Sequence, residues 1–144
     1  MKINLLSIML TGFFAVAAFA ADGVIQDGTY RAETVNFDDH GWKPFLELTY
    51  QDGKIAAVKF DYTNEKDGRL KTSDQAYGKN MAAATGTSPE IYTVKLAQSL
   101  VAQQDIERVD GVTGATHSTE DFKILAGAAI ENAKAGKTET AKVE

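Results

Sequence analysis

Along residues 28–62 apolar side chains alternate with polar ones at the period of a strand. Leu46, Leu48 and Tyr50 share one face of a segment near 44–51, and Ala56, Val58, Phe60 and Tyr62 share one face of a second near 54–63. Between them stands Asp52-Gly53, two residues that tolerate the positive φ of a type I′ turn, so the segments are predicted to pair antiparallel. An earlier strand, about Thr29 to Phe37, joins them as a meander through Asp38-Asp39-His40-Gly41-Trp42-Lys43-Pro44, a run of turn residues that holds the only tryptophan.

After Gly68 the period becomes helical. Ser73 is the predicted cap of a helix over about 74–84, with Tyr77 and Met81 four apart on one face and Thr85-Gly86 as its end. Ser88 followed by Pro89 opens a second helix to about Gln104, in which Tyr92, Leu96 and Leu100 recur every four residues. A third carries Phe122, Leu125, Ala126, Ala129, Ile130 and Ala133 on one stripe, with Ser118 and Asp121 as a capping-box pair and Gly136 as its stop. Strands first and helices afterwards predict an α+β domain: an antiparallel meander of three or more strands packed against about three helices. It covers residues 21–136, and the polar tail 137–144 is expected to fray.

The first 20 residues stand apart, because 15 of them are apolar. Lys2, the apolar run Ile3 to Val16 and the small-x-small Ala18-Phe19-Ala20 read as a cleavable signal peptide, with the mature chain starting at Ala21. The run is too short for a membrane span and no lipobox cysteine precedes the cut, so the expected product is exported, to the periplasm or cell surface, with no transmembrane anchor after cleavage. Removing these residues takes away one lysine and leaves 14 bases against 20 acids, a net of −6. Bases scattered singly among acids argue against nucleic acid. The chain has no cysteine and two histidines, which excludes disulfides, iron–sulfur clusters, thioether haem and thiol catalysis. No metal site is expected; Asp38-Asp39-His40 reads as a turn. Redox chemistry, if the chain has any, belongs to an organic cofactor.

Candidate chemistry concentrates in Asp110-Gly111-Val112-Thr113-Gly114-Ala115-Thr116-His117-Ser118-Thr119. Two glycines, an alanine and four hydroxyl side chains precede a helix, so a ligand can approach the backbone closely and the first-turn N–H groups attract an anion such as phosphate. An ordinary capped loop has the same composition. A P-loop is excluded because His117 stands where its lysine belongs, and a dinucleotide fingerprint because 28 residues after Thr116 cannot complete a Rossmann unit.

Asp110-x-x-Thr113-Gly114-Ala115-Thr116 resembles the D-x-x-(S/T)-G-A-T motif of the FMN-binding domain family, the domain also found in the NqrC and RnfG subunits of ion-coupled redox complexes. Asp27-Gly28-x-Tyr30, Gly41-Trp42-Lys43, Asp52-Gly53-Lys54-Ile55, Gly68-x-x-Lys71 and Tyr77 through Met81 are similar to its small exported members. The resemblance implies covalent FMN, joined by a phosphoester to Thr116 by a flavin transferase with FAD as donor and AMP as by-product. It makes Gly114 and Ala115 the small neighbours that leave the hydroxyl accessible, and Asp110 and Thr113 the remaining motif positions. Trp42, Tyr77 and Met81 are candidate contacts of the isoalloxazine ring, with core packing as the competing reading. His117 and Ser118 are candidate partners of the flavin or its phosphate. Glu120 and Asp121 put negative charge in the turn that would receive the phosphate and are expected to point away; Lys71, Lys79 and Lys123 are the candidate compensating cations. The resulting expectation is an electron carrier served by a membrane or periplasmic redox partner, rather than a self-sufficient enzyme. The alternatives are a flavin-bearing subunit of a larger extracytoplasmic reductase and a non-redox exported binding module.

Overall fold

The computed structural model describes residues 24–144. The leader and its cleavage pattern lie outside the described residues. The chain runs β1 (Gly28–Thr34), β2 (Trp42–Gln51), β3 (Lys54–Asn64), α1 (Gln75–Thr85), α2 (Pro89–Gln103), α3 (Thr116–Lys134) and β4 (Ala141–Val143), with short 3-10 turns at Lys71–Ser73 and Ile106–Arg108. This is the predicted α+β architecture. The four-stranded sheet has the order β3-β2-β1-β4, antiparallel through the meander and parallel where β4 joins β1.

The hairpin forms as its turn chemistry requires: Gln51 pairs with Lys54, and Asp52 and Gly53 take φ of 52° and 76°. One step later the register slips, with Thr49 opposite Ala57 but Tyr50 opposite Ile55, so a bulge leaves Ala56 unpaired. The alternation expected for β3 is corrected there. Ile55 enters the core and Ala56 is exposed. Gln104, just past α2 at φ 58°, reaches back to the bulge, donating Nε2 to the Ile55 carbonyl and accepting from the Ile55 N–H, both at 2.8 Å. Its side-chain amide acts as one more strand residue.

α2 covers β3, and α3 covers β1 and β2. Leu46, Leu48 and Tyr62 from the sheet meet Tyr92, Leu96 and Leu100 of α2 and Phe122, Leu125 and Ala126 of α3, all nearly or wholly removed from water. The Phe60 ring meets Phe122 edge-on at 5.2 Å. α1 differs: it has no fully buried residue and leans chiefly on the 3-10 turn before it.

Three further expectations change. The tail is not frayed throughout, because Ala141–Val143 pairs with Ala32–Thr34, the Val35 N–H donates to the Val143 carbonyl at 2.8 Å, and Lys142 pairs with Glu33. The cap of α1 is Asp74, whose carboxylate accepts from the Tyr77 N–H; Ser73 belongs to the 3-10 turn and bonds the Leu70 carbonyl. Ser88 and Pro89 do open α2, yet the Ser88 side chain makes no cap bond.

Candidate functional site

The third helix begins three residues earlier than its capping signal indicates. Ala115 is the N-cap residue, Thr116 is the first helical residue, and no side chain caps the turn. The Ser118–Asp121 capping box does not form, because both side chains are used by the sheet below. The Tyr62 hydroxyl donates to Asp121 Oδ2 at 3.0 Å and lies 3.0 Å from Ser118 Oγ. Burial, reinforced by the Asp121 charge, raises the Tyr62 phenol far above its usual range, so it stays protonated and can donate. Ser118 is buried as a result, while Thr116 and His117 are exposed. His117 Nε2 faces Asp121 at 3.8 Å, one helical turn on. Glu120 is exposed, and Asp121 is turned onto Tyr62.

Gly114 explains the small residues before Thr116. Its φ is +85°, and a Cβ built on it would stand 2.6 Å from the Thr85 carbonyl oxygen and 3.1 Å from Thr85 Cβ. The loop is thus seated on the C-terminal end of α1, at a distance only glycine permits. Thr85 is itself held, its hydroxyl donating to the Met81 carbonyl at 2.8 Å. Asp110 and Thr113 lie on another side of the loop, where with Gly86, Thr87, Ile91 and Lys95 they line a cleft of about 490 Å³.

Trp42 and Tyr77 do meet, ring to ring at 6.0 Å and 69°. Trp42, however, belongs to the start of β2 and is buried, not in the loop expected for it. Asp38 Oδ1 draws the turn closed by accepting from the His40 and Trp42 N–H groups, both at 2.9 Å. Met81 is half-buried, one turn beyond Tyr77 toward Thr85.

Of the three lysines put forward, Lys71 alone enters this group. It is 7% exposed, and its Nζ lies 4.3, 4.6 and 5.5 Å from the ring centroids of Tyr62, Tyr77 and Trp42. No carboxylate pairs with it among the described residues. The turn that carries it is tied to β3 by buried Asp61, which accepts from Thr72 Oγ1 at 2.6 Å, the Thr72 N–H at 3.2 Å and the Tyr62 N–H at 2.8 Å. Arg69 stands beside it, bound to Asp67 and Asp74 at 3.0 Å, with its guanidinium 5.1 Å from the Trp42 ring centre. Lys79 instead lines a separate cleft with Gln75, Gly78 and Glu90, and Lys123 is half-buried on α3. The buried Tyr92 hydroxyl meets no partner at good hydrogen-bond geometry among the described residues, and Ser118 stands near enough to favour its charged form while Tyr77, Asp61 and Asp121 oppose it, which sets it beside the first turn of α3.

Tyr62 and Asp61 are the members that sequence reasoning missed. Both read as ordinary strand residues, and only tertiary structure gives them second roles, Asp61 at the turn Lys71–Ser73 and Tyr62 at the first turn of α3.

A 15 kDa lipoprotein of Treponema pallidum (strain Nichols) is 43% identical over 115 residues, which are 80% of this chain and 81% of the relative. The crystal structure of a Clostridium perfringens protein superposes with a TM-score of 0.79 at 36% identity, covering 84% of this chain and 100% of that one. The solution structure of a Clostridium thermocellum protein gives 0.53 at 26% identity, covering 80% and 95%. The profile of the FMN-binding domain matches residues 41–131, a span from the turn ahead of Trp42, through the cation among its rings and the loop before Thr116, to the last turns of α3. Because that profile matches more than half of the chain, the chain belongs to the FMN-binding domain family.

Proposed function

We propose that the protein is an exported flavoprotein that carries FMN through a phosphoester to Thr116 and passes electrons to a redox partner at the membrane or in the periplasm. The observation that carries this reading is the setting of the Thr116 hydroxyl. It is exposed on the first residue of a 19-residue helix whose first turn lacks a side-chain cap, behind a Gly114-Ala115 approach that offers no bulk. A phosphate attached there meets free first-turn N–H groups and the positive end of the helix dipole.

The residues present suit FMN on further counts. Lys71 is a cation with no competing carboxylate among the described residues, and half-buried Tyr77 and Met81 offer flat or polarizable faces, whereas Trp42 is packed into the core. Bound FMN supplies the one- and two-electron chemistry that no side chain here possesses. The chain's own residues hold, orient and shield: Asp61 fixes the turn bearing Lys71, Tyr62 ties that turn's neighbourhood to α3, and Gly114 locks the loop on α1.

Attachment requires a partner enzyme. A threonine hydroxyl is a weak nucleophile, and the adjacent imidazole of His117 faces Asp121 instead. A flavin transferase would supply the base that takes the Thr116 proton. Oγ1 attacks the FMN phosphorus of FAD, a new O–P bond forms, the pyrophosphate bond breaks and AMP leaves. Export is supported by the apolar leader and by the relative named as a lipoprotein. No helix among the described residues is long and apolar enough to cross a membrane. An acidic mature chain suits encounter with basic patches on a redox partner.

The test is co-expression with a flavin transferase followed by denaturation. Yellow colour and flavin fluorescence should remain with the wild-type chain and vanish in Thr116→Val. A colourless denatured wild type would overturn the reading.

A further inference from the structure

We propose that the cleft between α2 and residues 110–113 is a docking site of the flavin transferase, so that the enzyme reads Ile91 and Lys95 of α2 together with the loop before Thr116. This rests on the flavoprotein reading above and adds to it a surface, outside the sequence motif, that selects the chain for modification.

The cleft encloses about 490 Å³. Ile91, Lys95 and Ser99 recur every four residues and form its helix wall, while Asp110 and Thr113 stand on the loop wall. The other face of α2 is used by the sheet, which buries Tyr92, Leu96 and Leu100 wholly, whereas Ile91 is 45% exposed. The side chains of Lys95, Ser99, Asp110 and Thr113 make no hydrogen bond and no ion pair among the described residues. Thr87, at the same cleft, is buried, and its hydroxyl also lacks a partner among the described residues. An apolar side chain, a cation, a carboxylate and several hydroxyls, all unused by the fold and gathered on one concave surface, are complementary to a second molecule.

The occupant follows from where Thr116 stands. The Ala115 N–H donates to the Val112 carbonyl at 3.0 Å, closing a turn, and Thr119 Oγ1 accepts from the Val112 N–H at 3.3 Å. The loop wall is thereby fixed to the helix that begins at Thr116. Thr113 is three residues from Thr116, at most about 10 Å of chain. Thr116 does not line the cleft. A molecule seated there has the exposed hydroxyl at its margin, which is the relation needed by an enzyme that brings a base and the FAD pyrophosphate up to Oγ1 from outside. The walls specify its chemistry: an acidic side chain facing Lys95, a basic one or an N–H group facing Asp110, and an apolar one over Ile91.

The measurement is the initial rate of covalent flavin incorporation by purified flavin transferase and FAD, followed against the concentration of the flavin-free mature chain. Ile91→Ser and Lys95→Glu should each lower kcat/KM about tenfold, chiefly through KM, because docking weakens while the Thr116 hydroxyl stays in place. Lys95→Arg keeps the charge and should retain most of the efficiency. Lys137→Glu makes the same charge change beyond the far end of α3 and should match the wild type. A competition gives a second readout. Thr116→Val cannot accept flavin yet keeps the cleft, so it should inhibit modification of the wild type, and Thr116→Val with Lys95→Glu should inhibit about tenfold less. Wild-type efficiency in Ile91→Ser and Lys95→Glu overturns the proposal, as does equal inhibition by the two competitors or an equal loss in Lys137→Glu, which would make net charge the cause. Wild-type efficiency in Lys95→Glu with shifted absorbance of the bound flavin also overturns it and assigns the cleft to the flavin ring. Failure of the flavoprotein reading looks different, since the wild type itself would then take up no covalent flavin.

Discussion

Replacing Gly114 with alanine tests the idea that the loop is clamped to α1. Two costs combine at that position. The backbone holds φ at +85°, a left-handed conformation that costs an L-residue about 1–2 kcal/mol. The new Cβ would also lie 2.6 Å from the Thr85 carbonyl oxygen, a backbone atom that cannot swing aside, and overpacking of this kind costs about 1–3 kcal/mol. Gly86 is the internal control. It has nearly the same φ, +79°, and open space where its Cβ would go, so Gly86→Ala carries only the first cost. The difference between the two variants isolates the contact at about 1–3 kcal/mol. For a domain of this size that corresponds to roughly 4–12 °C in melting temperature. Thermal unfolding of the flavin-free proteins reads the difference. Because the loop can also give way locally, covalent flavin per chain after co-expression with the transferase is measured alongside, and it should fall for Gly114→Ala alone. If Gly114→Ala melts with Gly86→Ala and takes up flavin normally, the clamp has no role.

Other expected outcomes follow from the same contacts. Asp61→Ala removes the acceptor of three hydrogen bonds at the turn bearing Lys71 and should cost about 2–4 kcal/mol in urea unfolding, with a change in Trp42 emission. Gln104→Ala leaves Ile55 without its amide partner at the bulge, and a loss of about 1–2 kcal/mol is expected by the same assay. The hydrogen bond from Lys142 and those from Arg31 hold the Glu33 carboxyl below its ordinary value of 4.5. Its contribution is therefore fully present above about pH 4.5 and lost as pH falls through the lower folded value. Exchange of the Val35 amide, corrected for intrinsic rate, should quicken over that window, and Lys142→Met should weaken the pH dependence, leaving the part that the Arg31 bonds carry.

What could be read from the chain alone was what depends on neighbours in sequence. The Asp52-Gly53 hairpin follows from the φ that two adjacent residues accept, and the apolar stripe of α3 from spacing within one helix. β4 was missed because three residues in a polar tail are too few to show a period, and they draw their order from Ala32 and Glu33, more than a hundred positions away. The capping rule pointed to Ser118, yet Tyr62 recruits that hydroxyl from below, and the helix starts at Thr116 instead. That shift moved the key hydroxyl from a loop to the first residue of the helix. The bulge at Ala56 depends on Gln104, half the domain away. Lys71 could not be chosen from three lysines by pattern, since its surroundings come from β2, β3 and α1 together. The motif itself was legible, whereas the seat around it is a product of tertiary structure.

The central claim is the bond at Thr116, and tandem mass spectrometry of the denatured, proteolysed protein tests it most directly after co-expression with a flavin transferase. One peptide should be heavier by FMN less one water, with the added mass on Thr116 and absent from Thr116→Val. An unmodified Thr116 peptide in the wild type, or the same mass carried by another residue, would contradict it.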